Sequence, residues 1–231
     1  MPPVTQYARL TLKPGTEADA LDESTPTGKI VQRRLTEPTT QPDFRAIHYG
    51  LAVERPSELW AFLDWDTVEQ HQTWRDSASH DDLRKSLATI SDASAPKFSL
   101  YITPQPTSVF NDPAYPVVEV LNVLLPPDMD EAAMKMVEDR WEQFARQALH
   151  PPALCGKIAT GWSLENNAPV RDEEGKTGKV FLALIQWPSV DKHMENRGLP
   201  VFKDSIHLLR DLPGLLKMDM FHVHAKTKTA A

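Results

Sequence analysis

Cysteine is almost absent from this chain: Cys155 is the only one in 231 residues, so no disulfide can form within it. The opening Met-Pro-Pro-Val-Thr-Gln lacks the basic and apolar regions of a secretion signal. No apolar run approaches the ~20 residues that cross a bilayer. A cytoplasmic protein with no membrane partner is the expectation. Basic residues are outnumbered, 25 against 32 acidic, for a net charge of −7, and no Lys/Arg run forms the stripe that phosphate backbones need. Nucleic acid is therefore not an expected partner. Glycine is scarce at nine residues, and neither a Walker pattern nor Gly-x-Gly-x-x-Gly occurs, which sets aside nucleotide and flavin binding through those loops. What is present is ordinary for a globular protein, 41% hydrophobic and 25% charged, with 20 prolines gathered between elements where a missing N–H costs least.

The positive signal is a repeat. Ala61-Phe-Leu-Asp-Trp65-Asp-Thr67-Val68-Glu69-Gln-His71 is echoed by Ala183-Leu-Ile-Gln-Trp187-Pro-Ser189-Val190-Asp191-Lys-His193. Trp, Thr/Ser, Val, Glu/Asp and His recur in one order at one spacing, which predicts a duplicated domain. The match extends outwards. Val4 to Leu12 and Val117 to Leu125 read as first strands, each closed by a proline. Ile47 to Glu54 and Ile158 to Glu165 read as second strands, Leu59 to Trp65 and Val180 to Trp187 as third, and Lys97 to Thr103 and Lys217 to His224 as last.

Helices fill the gaps. From Asp130 to Leu149, apolar residues at Ala133, Met136, Val137, Trp141, Phe144, Ala148 and Leu149 form an amphipathic stripe. The matching segment, Thr16 to Glu37, contains Pro26 and Gly28 and shows no such stripe, which predicts a shortened, broken or displaced helix. Thr67 with Gln70 caps a helix through Trp74, and Ser79 with Asp82 starts another towards Ile90. Ser189 and then Leu199 to Leu209 repeat this in the second half. The reading is α+β, strand-helix-strand-strand-helix-strand twice, with units at 1–104 and 117–231. A proline-rich linker occupies 105–116, and Asn166 to Lys179 forms an exposed hairpin loop.

On these residues the chain resembles the dimeric α/β-barrel superfamily of ferredoxin-like βαββαβ units, and within it the antibiotic-biosynthesis-monooxygenase type, in which a third strand ends in Trp followed by Ser or Thr, Val, an acidic residue and a His. The resemblance implies two such units with antiparallel sheets packed into a barrel, here fused in one chain as an internal pseudo-dimer or paired as a homodimer. A ligand cavity between each sheet and its helices is also implied. Relatives include cofactor-independent oxygenases of aromatic polyketides, decarboxylases, cyclases, haem-degrading enzymes and proteins with no assigned reaction.

Candidate residues follow from chemistry and from where the copies differ. His71 and Trp74 lie three apart on one helix and share a face, so His71 could take a phenol or enol proton while Trp74 stacks on the ring. Because Trp65 and His71 are repeated at Trp187 and His193, the scaffold reading is favoured for them, most of all for the two tryptophans. Residues found in one half only are the better functional candidates: His48 and Tyr49 against Ala159 and Thr160, and His222 and His224 against Ile102 and Pro104. The resemblance implies an Asn, Trp, Tyr and Arg set, parts of which Arg45, Tyr49, Trp65 and His71 could supply; Asn122, Trp162, His193 and His222 would make the rival pocket. Catalytic roles fall to His71, His48, Tyr49, His193 and His222. Substrate contacts fall to Trp65, Trp74, Asn122, Trp162 and His207. His222 and His224 at i, i+2 could share a metal, but no third ligand lies at a fitting spacing, so no metal is assigned. His207 loosely matches the helix that supplies an axial His in haem-degrading relatives. Cys155 reads as a resting buried thiol. The expectation is a biosynthetic enzyme working without a bound cofactor on an aromatic or polyketide-like molecule, by oxygenation, cyclisation or decarboxylation. The alternatives are a non-catalytic ligand- or partner-binding protein and a haem-binding one.

Overall fold

The computed structural model describes residues 3–103, 107–149 and 155–231, and the chain forms two compact units. The first comprises Met1–Gln105 together with Val223–Ala231, and the second Pro106–His222. In the first, β1 (Val4–Thr11), α1 (Pro26–Thr36), β2 (Phe44–Leu51), β3 (Glu58–Trp65), α2 (Val68–Arg75), α3 (Ala78–Ala88) and β4 (Phe98–Thr103) give the expected βαββαβ order with the second helix divided. The second runs β5 (Val117–Leu125), α4 (Glu131–Phe144), β6 (Ile158–Ser163), β7 (Ala168–Pro169), β8 (Thr177–Trp187), α5 (Val190–Gly198), α6 (Pro200–Ser205), α7 (His207–Arg210) and β9 (Lys217–Val223). A last strand, β10 (Lys226–Thr229), was not anticipated; it pairs antiparallel with β2 in the first unit. The strand orders are β10-β2-β3-β1-β4 and β6-β8-β5-β9. Among the described residues no helix is long and apolar enough to cross a membrane.

The central strands pair in the same register in both units. Val4 faces Trp65 across β1 and β3, and Val117 faces Trp187 across β5 and β8. With side chains alternating, Val117, Leu121, Val123 and Leu125 point at the helices, where Val137, Trp141 and Phe144 of α4 meet them. The first unit repeats the plan with Leu59, Leu63 and Trp65 of β3 against Val31, Leu35 and Trp74. Its opposite sheet face carries a ring row: Tyr7 stacks on Phe62 and Trp60 at 4.8 and 4.9 Å, and Phe98 stands edge-on to Tyr7 at 5.0 Å.

Helix starts follow the capping chemistry. The Thr67 and Ser189 hydroxyls accept from the Gln70 and Lys192 amides, at 3.3 and 3.1 Å, and Asp130 accepts from Ala133 at 2.8 Å. Four boundaries need correction. α3 is capped by Ser77, not Ser79. The Leu199 to Leu209 helix is two short ones with Ile206 between them. β9 ends at Val223, so exposed His224 is not in one row with buried His222. Asn166 to Lys179 is not all loop, because Ala168 and Pro169 pair with Gly178 and Thr177.

The first helix needs the largest revision. It is shortened, as expected, but Pro26 begins it rather than breaking it: proline sits in the first turn after Thr25, whose hydroxyl accepts from the Gly28 amide at 2.9 Å. Val31 and Leu35 do form a buried stripe. Gly28 is required by the turn before the helix, since a Cβ there would lie 1.7 Å from the Asp22 carbonyl oxygen. Gly28→Ala should therefore cost roughly 1–3 kcal/mol through overpacking against backbone. Urea unfolding checks this; a change below about 0.5 kcal/mol, the range of ordinary surface substitutions, would contradict the assigned contact.

Candidate active site

In the second unit the Trp-to-His repeat assembles a buried polar chain. Trp187 ends β8, Ser189 caps α5, and the first turn of α5 brings His193 back over the indole, with the rings stacked at 4.7 Å and 18°. Two residues beyond Val117, Glu119 is the one carboxylate in the row of β5 that faces the helices. The Trp187 Nε1–H donates to Glu119 Oε2 at 2.9 Å, and His193 Nε2 lies 3.4 Å from the same oxygen. On the other side of the ring, His193 Nδ1 is 2.7 Å from Nε2 of His222 on β9. One proton assignment fits the network: His222 Nε2–H donates to His193 Nδ1, leaving His193 Nε2–H directed at Glu119. All three residues are buried. Burial first, then His222 and Arg197, depress the His193 pKa to about 3, so the imidazole is neutral at pH 7.

This chain borders a cavity of about 370 Å³ between the sheet and the helices of the second unit. Glu119 and His193 meet it at the sheet. Phe144, Leu149, Phe202, Leu209, Met218 and Met220 supply most of an apolar wall, and Arg197 and Arg210 add two cations. The size and lining suit a drug-sized apolar ligand with a few polar contacts. α4 continues into a π-turn at Ala145–Leu149, which carries Leu149 onto the lining.

The first unit holds the same positions with different chemistry. By strand register Gln6 stands where Glu119 does, and its amide donates to Ser99 Oγ at 2.9 Å instead. Trp65 Nε1 has no hydrogen-bond partner among the described residues. His71 Nδ1 is 2.5 Å from the Tyr101 hydroxyl, and its ring sits among Trp65, Trp74 and Tyr101 at 5.3–5.8 Å. Burial, then Arg34, Arg75 and His80, lower its pKa to about 3 as well. Arg34 lies over the Trp74 ring at 5.3 Å, its own pKa lowered to about 10 by burial. The space beside Tyr49 is about 20 Å³, room for one water.

No family model matches the sequence, and no curated protein does. Solved structures do match over the full length. An anthrone oxidase-like protein aligns with 100% of this chain and 94% of its own, at TM-score 0.65 and 10% identity. A provisionally named monooxygenase from Fusobacterium nucleatum aligns over 98% and 94%, at TM-score 0.59 and 10% identity. Another, from Lactobacillus acidophilus, aligns over 100% and 98%, at 0.55 and 9%. The fold shared with them is α+β, two ferredoxin-like βαββαβ units in tandem. At such identities the likeness is one of fold.

Within these two units the candidate residues are dispersed. His193 and His222 come together in the second unit, and His193 lines its cavity. Asn122 is buried on the opposite face of β5 from Leu121 and Glu119. Trp162 donates to Glu138 at 2.8 Å and packs edge-on to Phe181, outside the cavity lining. His207 is exposed on α7. In the first unit His48 Nδ1 meets Thr227 Oγ1 of β10 at 2.8 Å, and its Nε2 lies 3.4 Å from Asp64. Its neighbour Tyr49 alternates into the helix-side core. Arg45 pairs with Asp66 at the surface. Pro104 lies outside the described residues. Among those described, no group of three or more His, Cys, Asp or Glu is placed to hold a metal. Glu119 is the residue missed by sequence reasoning. Its signal was a lone carboxylate at a helix-facing position of the apolar run Val117-Val-Glu-Val-Leu-Asn-Val-Leu-Leu125.

Cys155 is buried, donates to the Leu149 carbonyl at 3.3 Å, and has its pKa raised to about 11, by burial before Glu119. It should resist a thiol reagent such as DTNB at pH 8 in the native protein and react fully in urea. Rapid native labelling would contradict this placement.

Proposed function

We propose that the second-unit cavity is the active site of a cofactor-independent monooxygenase acting on an aromatic or polyketide-like molecule. The observation that carries this reading is a carboxylate, Glu119, held against His193 and Trp187 on the wall of an apolar cavity large enough for such a substrate. Glu119 accepts a proton from an acidic CH₂ or enol O–H of the substrate. Trp187 fixes the carboxylate by a hydrogen bond, His193 faces it at 3.4 Å, and His222 fixes the His193 tautomer. The carbanion so formed passes an electron to O₂, and the radicals combine into a substrate hydroperoxide. Loss of water leaves a carbonyl: CH₂ plus O₂ gives C=O plus H₂O, with the substrate supplying all the electrons. The dry wall of Phe, Leu and Met protects the anion from solvent protons.

A haem group has little to recommend it in this cavity, where both His193 nitrogens face partners and His207 is turned to solvent. Likeness in fold to an anthrone oxidase-like protein suggests anthrone as a first substrate to try. Oxygen uptake with anthrone should be saturable and yield the quinone with one O₂ consumed per molecule. If an apolar aromatic binds but no panel of anthrones and phenols is turned over, the cavity serves ligand binding alone and the enzymatic reading fails.

A further inference from the structure

The mechanism above leaves two charges in the cavity wall unused. Arg197 lies in the last turn of α5 and Arg210 in the last turn of α7, and both line the cavity. Neither guanidinium has a hydrogen bond or ion pair with another described side chain, whereas Arg171, Lys176, Lys192 and Lys217 of the same unit pair with Asp219, Glu173, Glu195 and Asp172. The lining contains one carboxylate, Glu119, and it is occupied at the buried end by Trp187 and His193. Arg210 is exposed and Arg197 half-buried, so the cations stand towards solvent while the carboxylate stands at the sheet.

We infer that the cavity takes an aromatic ligand bearing a carboxylate, anchored by Arg197 and Arg210 at the solvent end, with its reacting carbon or hydroxyl directed at Glu119. This rests on the reading of the cavity as the active site. The guanidinium fork matches a carboxylate in geometry as well as charge, and a point cation would give less orientation. The polarity also sets direction: a carboxylate is repelled from Glu119 and drawn to the mouth. A bound acid is therefore oriented, and a neutral ring system is not.

The test is fluorescence titration with 2-naphthoate and its neutral counterpart 2-naphthalenemethanol. The wild-type protein should bind the acid at least about tenfold tighter, as one charge-assisted contact predicts. Raising salt from 20 to 300 mM should weaken the acid far more than the alcohol. Arg197→Gln and Arg210→Gln should each remove part of the preference, and the double variant all of it, with the alcohol's affinity unchanged. Leu121→Trp, which fills the cavity from β5, should abolish binding of both. If the wild type binds acid and alcohol equally, or the double variant keeps the preference, the anionic anchor is wrong and the cavity stands. If neither compound binds, or Leu121→Trp leaves both bound, the cavity reading itself is overturned. Should the double variant not fold, the single variants and the salt series decide the question.

Discussion

Replacing Glu119 by Gln should reduce turnover by roughly 10²–10⁴-fold while the protein folds as before, the span typical of a lost general base. The substitution keeps the volume and an acceptor for Trp187 Nε1–H, and removes only the group that takes the proton. Binding of an uncharged aromatic ligand should change little, so the loss should appear in kcat rather than KM. Gln6→Leu at the matched position of the first unit is the control, because Gln6 donates to Ser99 and stands in a unit whose helix-side space beside Tyr49 is about 20 Å³. It should keep turnover within about threefold, less than 1 kcal/mol of transition-state stabilisation. A Glu119→Gln enzyme of undiminished kcat would remove the carboxylate from the mechanism.

Stability should fall steeply in mild acid. His71 and His193 both have folded-state pKa values of about 3 against an ordinary 6.5. Between those limits the unfolded chain binds more protons than the folded one, so stability is intact above pH 6.5 and is lost as pH falls towards 3. Each histidine contributes a slope of about 1.4 kcal/mol per pH unit once charged in the unfolded state. The pair together should cost about 4 kcal/mol between pH 7 and pH 5. Urea midpoints across that range measure it, and His71→Gln should remove about half the slope. A flat profile from pH 7 to 5 would mean that these rings are charged in the fold. Since His193 belongs to the proposed site, its protonation should also abolish activity on the acid side.

The sequence made some of this legible and hid the rest for identifiable reasons. The doubled motif from Trp65 to His71 and from Trp187 to His193 disclosed two units, because a tryptophan at a strand end, a hydroxyl cap and a histidine one turn later form one packed junction in each. The same repetition makes His193 read as scaffold alongside His71. What separates them is the residue facing each from the first strand, Gln6 or Glu119, and that pairing needs the strand register. Asn122 was singled out because a polar residue in an apolar strand is conspicuous, yet its parity puts it on the other face from Glu119. Pro26 seemed to interrupt a helix that it in fact begins, since a proline at a first turn and one inside a helix differ only in where the cap falls. His224 seemed to extend the row of His222 until the strand ended between them. The halves differ at the matched first-strand position, Gln6 against Glu119, and the proposed function rests on that difference.

The central claim is that ligand chemistry belongs to the second unit's histidine and not to its twin. The most direct measurement is the imidazole ¹⁵N spectrum of histidine-labelled protein at pH 7, with and without saturating 2-naphthalenemethanol. His71 and His193 should both show the shifts of neutral rings, and ligand should move the His193 and His222 signals while leaving His71 in place. Movement of His71 with His193 unaffected would place the working cavity in the wrong half of the chain.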